Sequence, residues 1–453
     1  MSNLLGLLHL GSAGLAAQHS GAAVAANNAA NVNTVGYSRQ RVDLRSQLAA
    51  PEVGGVRAGS PQRMADSLLA SRQRGAAGSL GYSSALAPAM TDLEGRLING
   101  TPLETRLNNM FAGLQRVAAS PTDPLARDVV VQGAEDVATG IRHMAAEIAS
   151  SRTDADARVR DSAVNASSLT KEIAALNKAI KASNDPVLRD RRDVAAGKLA
   201  ELVGGSGRID PDGMMRWVLP DGAALVDGER AAQIVATPDP ATGFSTVEVV
   251  DGTSRRDVTT SLGAGSIGAD LHFRDVEAAA AGTRLDQFAF DLATTMNTAH
   301  AANAGLDGVS GRNLFTAPAG VAGAAAAFAV DPAIAADATL LATAAPGAGQ
   351  GSNAGALALI NLRDARAATG GHTLLEAAID VVGAVGLSAA EAEASAERDA
   401  AVSDNLASLR DSISGVDLDE EMSKLVQFQH ASEAMTRFLS TIDGMLSDLL
   451  GRL

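Results

Sequence analysis

"NNAANVNTVGYSRQ", residues 27–40, follows a run that is apolar, rich in small residues and free of formal charge: no Asp, Glu, Lys or Arg precedes Arg39. Five of the first ten residues are leucine, and then Asn27, Asn28, Asn31 and Asn33 fall within seven positions. A chain that begins like a buried helix turns polar there without becoming charged. Asparagine carries both donor and acceptor, so it can end a helix and bond neighbouring backbone without bringing in a charge. Gly36 is placed to take a turn conformation, Tyr37 supplies an aromatic anchor and Arg39 a directional donor. An uncharged segment of this kind suits close neighbours that leave no room for an unpaired buried charge.

Both ends of the chain share a second feature. Leu4, Leu8, Gly11, Leu15, Gln18, Ala22 and Ala25 recur in steps of four and three, a heptad seam. At the other end "SGVDLDEEM" places Asp417 at a helix N-cap with Glu420 three residues on, a capping box, and Asp419 and Glu421 in the positive first turn. That reading uses every carboxylate of "DLDEE" without a cation. Met435, Leu439, Ile442, Leu446, Leu449 and Leu453 then step to the last residue. Each large side chain of such a seam is worth roughly 1.5–3 kcal/mol when buried. Helices this short are marginal alone. Both ends are therefore expected to fold against something.

The 453 residues leave room for two to four domains. Only twelve residues are aromatic, which favours closely packed helices over aromatic-lined pockets. The net charge of −15 is spread along the chain, so no nucleic-acid footprint is expected. The one dense basic spot, "LRDRRD" at residues 188–193, reads as i,i+3 and i,i+4 pairing on a solvated helix face. Absence of cysteine excludes disulfides, thiolate metal sites and cysteine nucleophiles. No uninterrupted apolar run reaches about 18 residues, so no membrane insertion is expected. "LLGLLHL" lacks a positive n-region, and a cleaved signal peptide is not expected.

Helical periodicity runs from about residue 62 to 203. Leu103, Leu107, Met110, Leu114 and Val117 make one stripe, ended by the two prolines of "ASPTDP". Val137, Ile141, Met144 and Ile148, then Leu169, Ile173, Leu176 and Ile180, continue it. As a single helix, residues 125–182 would extend roughly 85 Å. From Gly204 the character changes: four Asp-Gly pairs within residues 206–262 separate short segments, the mark of a small antiparallel β lobe. Helical pattern resumes near Asp270. The loop-rich stretch 304–352 is expected to add strands to the lobe, and helices return at 353–366 and 373–411.

The chemistry is thin. "GAGSIG", residues 263–268, satisfies G-x-G-x-x-G with Asp286 about 20 residues beyond, but polar residues precede it and no second strand follows. It reads as a glycine turn joining lobe to helix. The seven histidines show no H-x-x-H or H-E-x-x-H spacing. No catalytic, cofactor-binding or metal-ligating residue is expected, and no cofactor.

"NNAANVNTVGYSRQ" resembles the N-terminal signature of bacterial flagellar axial proteins, and "SGVDLDEEM" through "FQHASEAM" their C-terminal signature. The interior segments "ASPTDPLARDVV", "LRDRRD", "GAGSIGADLHFRD", "LDQFAFDLATTMNTAHAANAGLDGVSGRNLF" and "GSNAGALALINL" resemble, in order, parts of the hook–filament junction family, hook-associated protein 1 (FlgK). "GYSRQ" fits its usual form, and helices across 85–203 separate the chain from rod and hook proteins. Two departures stand out: the lobe is minimal where many members carry an added outer domain, and "QHAS" at 429–432 lacks a common tyrosine.

The resemblance implies a non-enzymatic structural protein at the junction of hook and filament, outside the cell. It would be exported by the flagellar type III system without a cleaved signal. Its implied partners are further copies of itself in a ring, the hook protein, the second hook–filament junction protein and a cytoplasmic export chaperone that binds the C-terminal segment. The fold expected is mainly α with a small mid-chain antiparallel β lobe on an elongated rod of long helices, the terminal heptad helices forming a coiled coil on assembly. Residues 1–48 and 412–453 would form the terminal domain, 49–205 and 353–411 the helical rod, and 206–352 the β-rich lobe with a helix at about 270–303. The assembly contacts expected are Leu4, Leu8, Leu15, Asn27, Asn28, Asn31, Asn33, Gly36, Tyr37 and Arg39, with Met435, Leu439, Ile442, Leu446, Leu449 and Leu453 at the other end and the cap Asp417 and Glu420. Alternatives are another axial protein (second junction protein or filament subunit) and a secreted coiled-coil adhesin.

Overall fold

A computed structural model describes residues 2–47, 55–183 and 185–451. Its spine is one helix. After α1 (Ser2–Ala30) and four short strands, β1 (Gln40–Arg41), β2 (Leu44–Gln47), β3 (Gly55–Ala58) and β4 (Gln62–Arg63), come α2 (Ser67–Ile98), α3 (Leu103–Ala119), α4 (Pro124–Ser183) and α5 (Pro186–Val203). The 60 residues of α4 extend roughly 90 Å at 1.5 Å each. Asp66 caps α2 and Asp185 caps α5, each accepting backbone N–H bonds.

The lobe follows as β5 (Ser206–Ile209), β6 (Met215–Val218), β7 (Ala224–Asp227), β8 (Arg230–Ala231), β9 (Gln233–Pro238), β10 (Ser245–Asp251) and β11 (Ser254–Asp257). All pairings are antiparallel, in sheets ordered β5-β6-β7-β8 and β11-β10-β9. The glycines of the four Asp-Gly pairs, at 213, 222, 228 and 252, all take positive φ at the tight turns. Helical structure then returns as α6 (Gly265–His272), a π-helical turn at Phe273–Glu277, α7 (Ala278–Ala301), α8 (Pro332–Ala336), α9 (Ala354–Asn361), α10 (Leu374–Ser414) and α11 (Leu418–Leu450). The glycine turn expected at "GAGSIG" is the entry to α6: Gly265 has φ +71°, and a Cβ there would lie 2.4 Å from the Leu202 carbonyl carbon.

Helix α4 passes through two cores. Its first half packs Val137, Ile141 and Ile148 with the α3 stripe, with Leu285, Phe288 and Leu292 of α7, and with Leu374, Val381 and Val385 of α10. Its second half packs Val159 and Ile173 with Leu199 of α5 and Trp217, Leu225 and Val247 of the lobe. Helices α2 and α10 run antiparallel, joined by Thr91 to Glu393 and by Gln73 to the Leu406 carbonyl. The stretch 304–352 does not extend the lobe. Its described pairings are isolated bridges, and Leu314, Phe315, Phe328, Ile334 and Leu341 are buried in the first core. Its apolar runs are mostly alanine, interrupted by Gly, Pro and Asp, and its few large side chains serve as pegs in the rod.

A polar stripe on α4 holds the lobe. Asn177, fully buried, accepts the Met215 N–H (2.9 Å) and donates to the Met215 and Gly228 carbonyls (2.8 and 2.7 Å). Thr170 donates to the Ala232 carbonyl (2.8 Å), Ser167 meets both backbone groups of Ile234, and Asp156 accepts the Ser245 N–H (2.6 Å). Side chains on the helix thereby satisfy backbone groups of the strands that lie against it. Replacing Asn177 by alanine strands several of those groups, each worth about 1–3 kcal/mol. Chemical denaturation of Asn177→Ala is expected to show a loss on the order of 3 kcal/mol, and a loss under about 0.5 kcal/mol would mean that the stripe does not hold the lobe.

Candidate assembly interface

Helices α1 and α11 lie against each other, and the surface between them is set by glycine. The buried residues of α1 are Gly11, Gly14, Ala17, Gly21, Ala25 and Asn28, in steps of three and four. A Cβ on Gly11 would meet the Leu439 side chain at 2.7 Å, one on Gly14 the Met435 side chain at 3.2 Å, and one on Gly21 the Phe428 ring at 2.5 Å. The groove of α1 thus receives the knobs of α11. Leu4, Leu8 and Leu15 flank the groove, half-buried. Met435, Leu439 and Leu446 are half-buried and Ile442 fully buried, whereas Leu449 stays exposed. Leu453 lies outside the described residues, as does the expected boundary at 48–49.

The asparagine stretch closes α1 and folds the chain back. Asn31 donates to the Asn27 backbone carbonyl (2.9 Å) and side-chain oxygen (3.0 Å), Thr34 donates to Asn31 (3.1 Å), and Asn33 is exposed in the turn. Gly36 has φ +82°, and a Cβ there would lie 2.2 Å from Val194 of α5. Only glycine fits both constraints.

Asn28 is the centre. It is 1% exposed, and its amide is saturated by three segments. The oxygen accepts the Gln40 N–H (2.9 Å) and the Tyr37 hydroxyl (2.8 Å), while the nitrogen donates to the Gln40 carbonyl (2.8 Å) and to Glu421 of α11 (2.9 Å). Asn27 donates to the Tyr37 oxygen at 3.3 Å. Arg39 completes the link: its guanidinium reaches Glu420 and Glu421 at 2.6 Å each, with Nε 2.8 Å from Glu421. Its backbone N–H donates to the Ser414 carbonyl, and its carbonyl accepts from Met64.

Asp417 caps α11, accepting from Asp419 and Glu420 N–H. The expectation that capping occupies every carboxylate of "DLDEE" is corrected here. Glu420 is held by Arg39 and Lys424 (2.9 Å), and Glu421, 2% exposed at its side chain, by Arg39 and Asn28. An arginine 382 positions before Glu421 cannot be read from local spacing.

"LRDRRD" is likewise not a solvated face. Asp190 and Arg192 are buried; Asp190 pairs with Arg63 (2.9 Å) and accepts the Ser38 N–H (3.2 Å), and Asp193 pairs with Arg63 (2.7 Å). Arg192 donates to Asn177 and to the Gly213 carbonyl. The aspartates dock the terminal turn on the rod, and Arg192 faces the lobe. The signal available in sequence was that neither Asp190 nor Arg192 has an opposite charge three or four residues away.

The electrostatics follow from this packing. Burial, then Asp190 and Glu421 nearby, push the Tyr37 hydroxyl up to about 12. The bond to Arg39, then that to Lys424, holds the Glu420 carboxyl down to about 2. Burial raises Asp190, against the pull of Arg63. Among the described residues no group of three His, Asp or Glu is placed to hold a metal ion, and no helix is long and apolar enough to cross a membrane.

The described FlgK helical domain model of flagellar hook-associated protein matches residues 92–315, and the C-terminal model of flagellar basal body rod FlgEFG proteins matches residues 410–452. Flagellar hook-associated protein 1 of Bacillus subtilis (strain 168) is 27% identical, with 96% of each chain covered. The chain belongs to the flagellar hook-associated protein 1 (FlgK) family. Flagellar hook-associated protein 1 of Escherichia coli (strain K12) is 25% identical over 68% of this chain; the match spans 59% of that relative's length. The solved flagellar hook junction protein FlgK from Burkholderia pseudomallei shares the fold, with a TM-score of 0.68 and 17% identity over 76% of this chain and all of that one. The family is structural and non-enzymatic, an extracellular axial component of the flagellum at the hook–filament junction.

Two outcomes test the joint. Arg39→Ala leaves Glu421 buried beside Asn28 with only Lys424 at 3.5 Å, and denaturant titration of the assembled subunit, where the ends are held, is expected to show a loss of about 3–5 kcal/mol, largely recovered in Arg39→Met with Glu421→Leu. Because Glu420 is lowered in the folded chain, its contribution is full above the ordinary value of 4.5 and is lost as pH falls towards about 2. Asp190, raised by burial, works in the opposite sense. Carboxyl NMR of Glu420 should titrate near 2 and return to the ordinary glutamate range in Arg39→Ala.

Proposed function

We propose that this chain is a junction subunit whose paired ends are its polymerising element, the rod standing outside them and the β lobe outermost. The observation that carries this is the outer face of α11. After α11 has packed on α1, Leu418, Met422, Val426, Met445 and Leu449 remain about half exposed, at four-residue steps in both halves of the helix. Apolar stripes of that length on a soluble subunit mark an interface. The occupant is a second copy of the same pair, so that copies form a ring. The hook protein on one side and the second junction protein on the other would meet the ring's two edges. Before export through the flagellar type III system the C-terminal segment, Met435 to Leu453, would be covered by a cytoplasmic chaperone.

The pair itself is thinly buried. Of the described α11 residues only Glu421 and Ile442 are fully buried. In dilute monomer the ends are therefore expected to open transiently, far more often than the whole chain unfolds. Limited proteolysis should trim both back to a stable centre running from near α2 to the end of α10, and assembly should protect them. Ends that resist protease in dilute monomer would remove the assembly-coupled folding from this reading. Met422→Glu with Val426→Glu should leave the centre's melting unchanged and abolish filament attachment in a strain dependent on this chain. Normal attachment would mean that the outer face of α11 is not the interface.

A further inference from the structure

The joint between the terminal turn, α2, α5 and the end of α10 encloses a cavity of about 290 Å³, bounded by Gly36, Ser38, Arg63, Arg74, Glu201 and Arg410 among others. Arg74 is the anomaly in its wall. It is 9% exposed, yet its guanidinium makes one long bond, Nη2 to the Gly207 carbonyl at 3.3 Å, and its Nε has no partner among the described residues. Arg192 shares the unpartnered Nε but has two good bonds, to Asn177 (3.0 Å) and the Gly213 carbonyl (2.7 Å), and two further buried arginines are fully answered. Arg127 donates to the carbonyls of Pro121, Leu341 and neighbouring residues and to Thr343, and Arg274 sits between Asp156 and Asp275. A buried guanidinium without a carboxylate is costly.

The other charges lining the cavity do not supply the missing anion. Asp193 is the carboxylate that Arg74 senses, and Arg63 already holds it at 2.7 Å. Asp66 spends its Oδ1 on the N–H groups of Leu68 and Leu69. Glu201 is exposed. Arg410 adds a second guanidinium, bonded to the Tyr37 carbonyl at 3.3 Å. The planar fork of arginine matches an oxyanion in two places at once.

We propose that this cavity binds a small tetrahedral oxyanion, inorganic phosphate or sulfate, between Arg74 and Arg410. Arg74 already touches the lobe through Gly207, and Arg410 touches the terminal turn through Tyr37. A bound anion therefore clamps lobe, rod and terminal pair at one point, and stabilises the docked arrangement by mass action.

Calorimetric titration of the full chain with inorganic phosphate, and its thermal unfolding in phosphate against sodium chloride at matched ionic strength, test this. Saturable one-to-one binding and a midpoint raised by phosphate alone are expected. Arg74→Gln should lose both. Ala70→Leu, which fills the cavity from α2 without touching a charge, should also lose both and serves where Arg74→Gln does not fold. No binding heat at millimolar phosphate in the natural chain, or a phosphate response that survives either folded variant, overturns the site.

Discussion

The terminal pair depends on one amide. Asn28 joins its own helix, the returning strand at Gln40 and the first turn of α11 through Glu421, and every one of those bonds is buried. Aspartate could not replace it, because a carboxylate cannot donate to the Gln40 carbonyl and would stand beside the buried Glu421 as a second negative charge. Leucine would strand the backbone groups of Gln40. The neutral donor–acceptor pair is what allows a single charge, Glu421, to be buried there and answered chiefly by Arg39, with Lys424 at 3.5 Å. The uncharged run that precedes it keeps the inner face of α1 free of further charges, which burial against α11 would leave unpaired.

A second constraint acts on the rod. Helix α4 serves two cores, and in its second half the residues that face the lobe are polar as well as apolar. Asp156, Ser167, Thr170 and Asn177 bond strand backbone, while Val159 and Ile173 pack side chains. Short sheets expose backbone groups at their edges, and covering them with a helix is one of the few stable solutions. The lobe is thereby fixed to the spine along its length rather than hung from two chain crossings.

The difference between what could and could not be read follows the range of the interactions. The Leu103–Val117 stripe, the span of α4 and the Asp-Gly turns are local patterns, and the structure keeps them. The groove of α1 is local too, but hydrophobic periodicity scores leucine and overlooks glycine, so Leu4, Leu8 and Leu15 drew attention while Gly14 and Gly21 carry the contact. Asp190, Arg192 and Asp193 were misread because the one i,i+4 pair of the segment, Arg189 with Asp193, was extended to its neighbours. Their true partners, Arg63, Ser38 and Asn177, lie outside the segment. Residues 304–352 show the same limit: isolated aromatics in a loop signal burial, but not in which core.

The small residues of α1 also explain how the ends can be both ordered and weak. A glycine groove lets two backbones approach closely and fixes register by shape, since Phe428, Met435 and Leu439 each fit one position. The same groove contributes little apolar area of its own, and hydrophobic stabilisation scales with area. Two helices joined in this way have a defined geometry and a small free energy of pairing. The missing area stands on the outer face of α11, where it counts only when covered. For a subunit that joins a lattice through its ends, specificity is thus built into the chain and most of the stability is left to its neighbours.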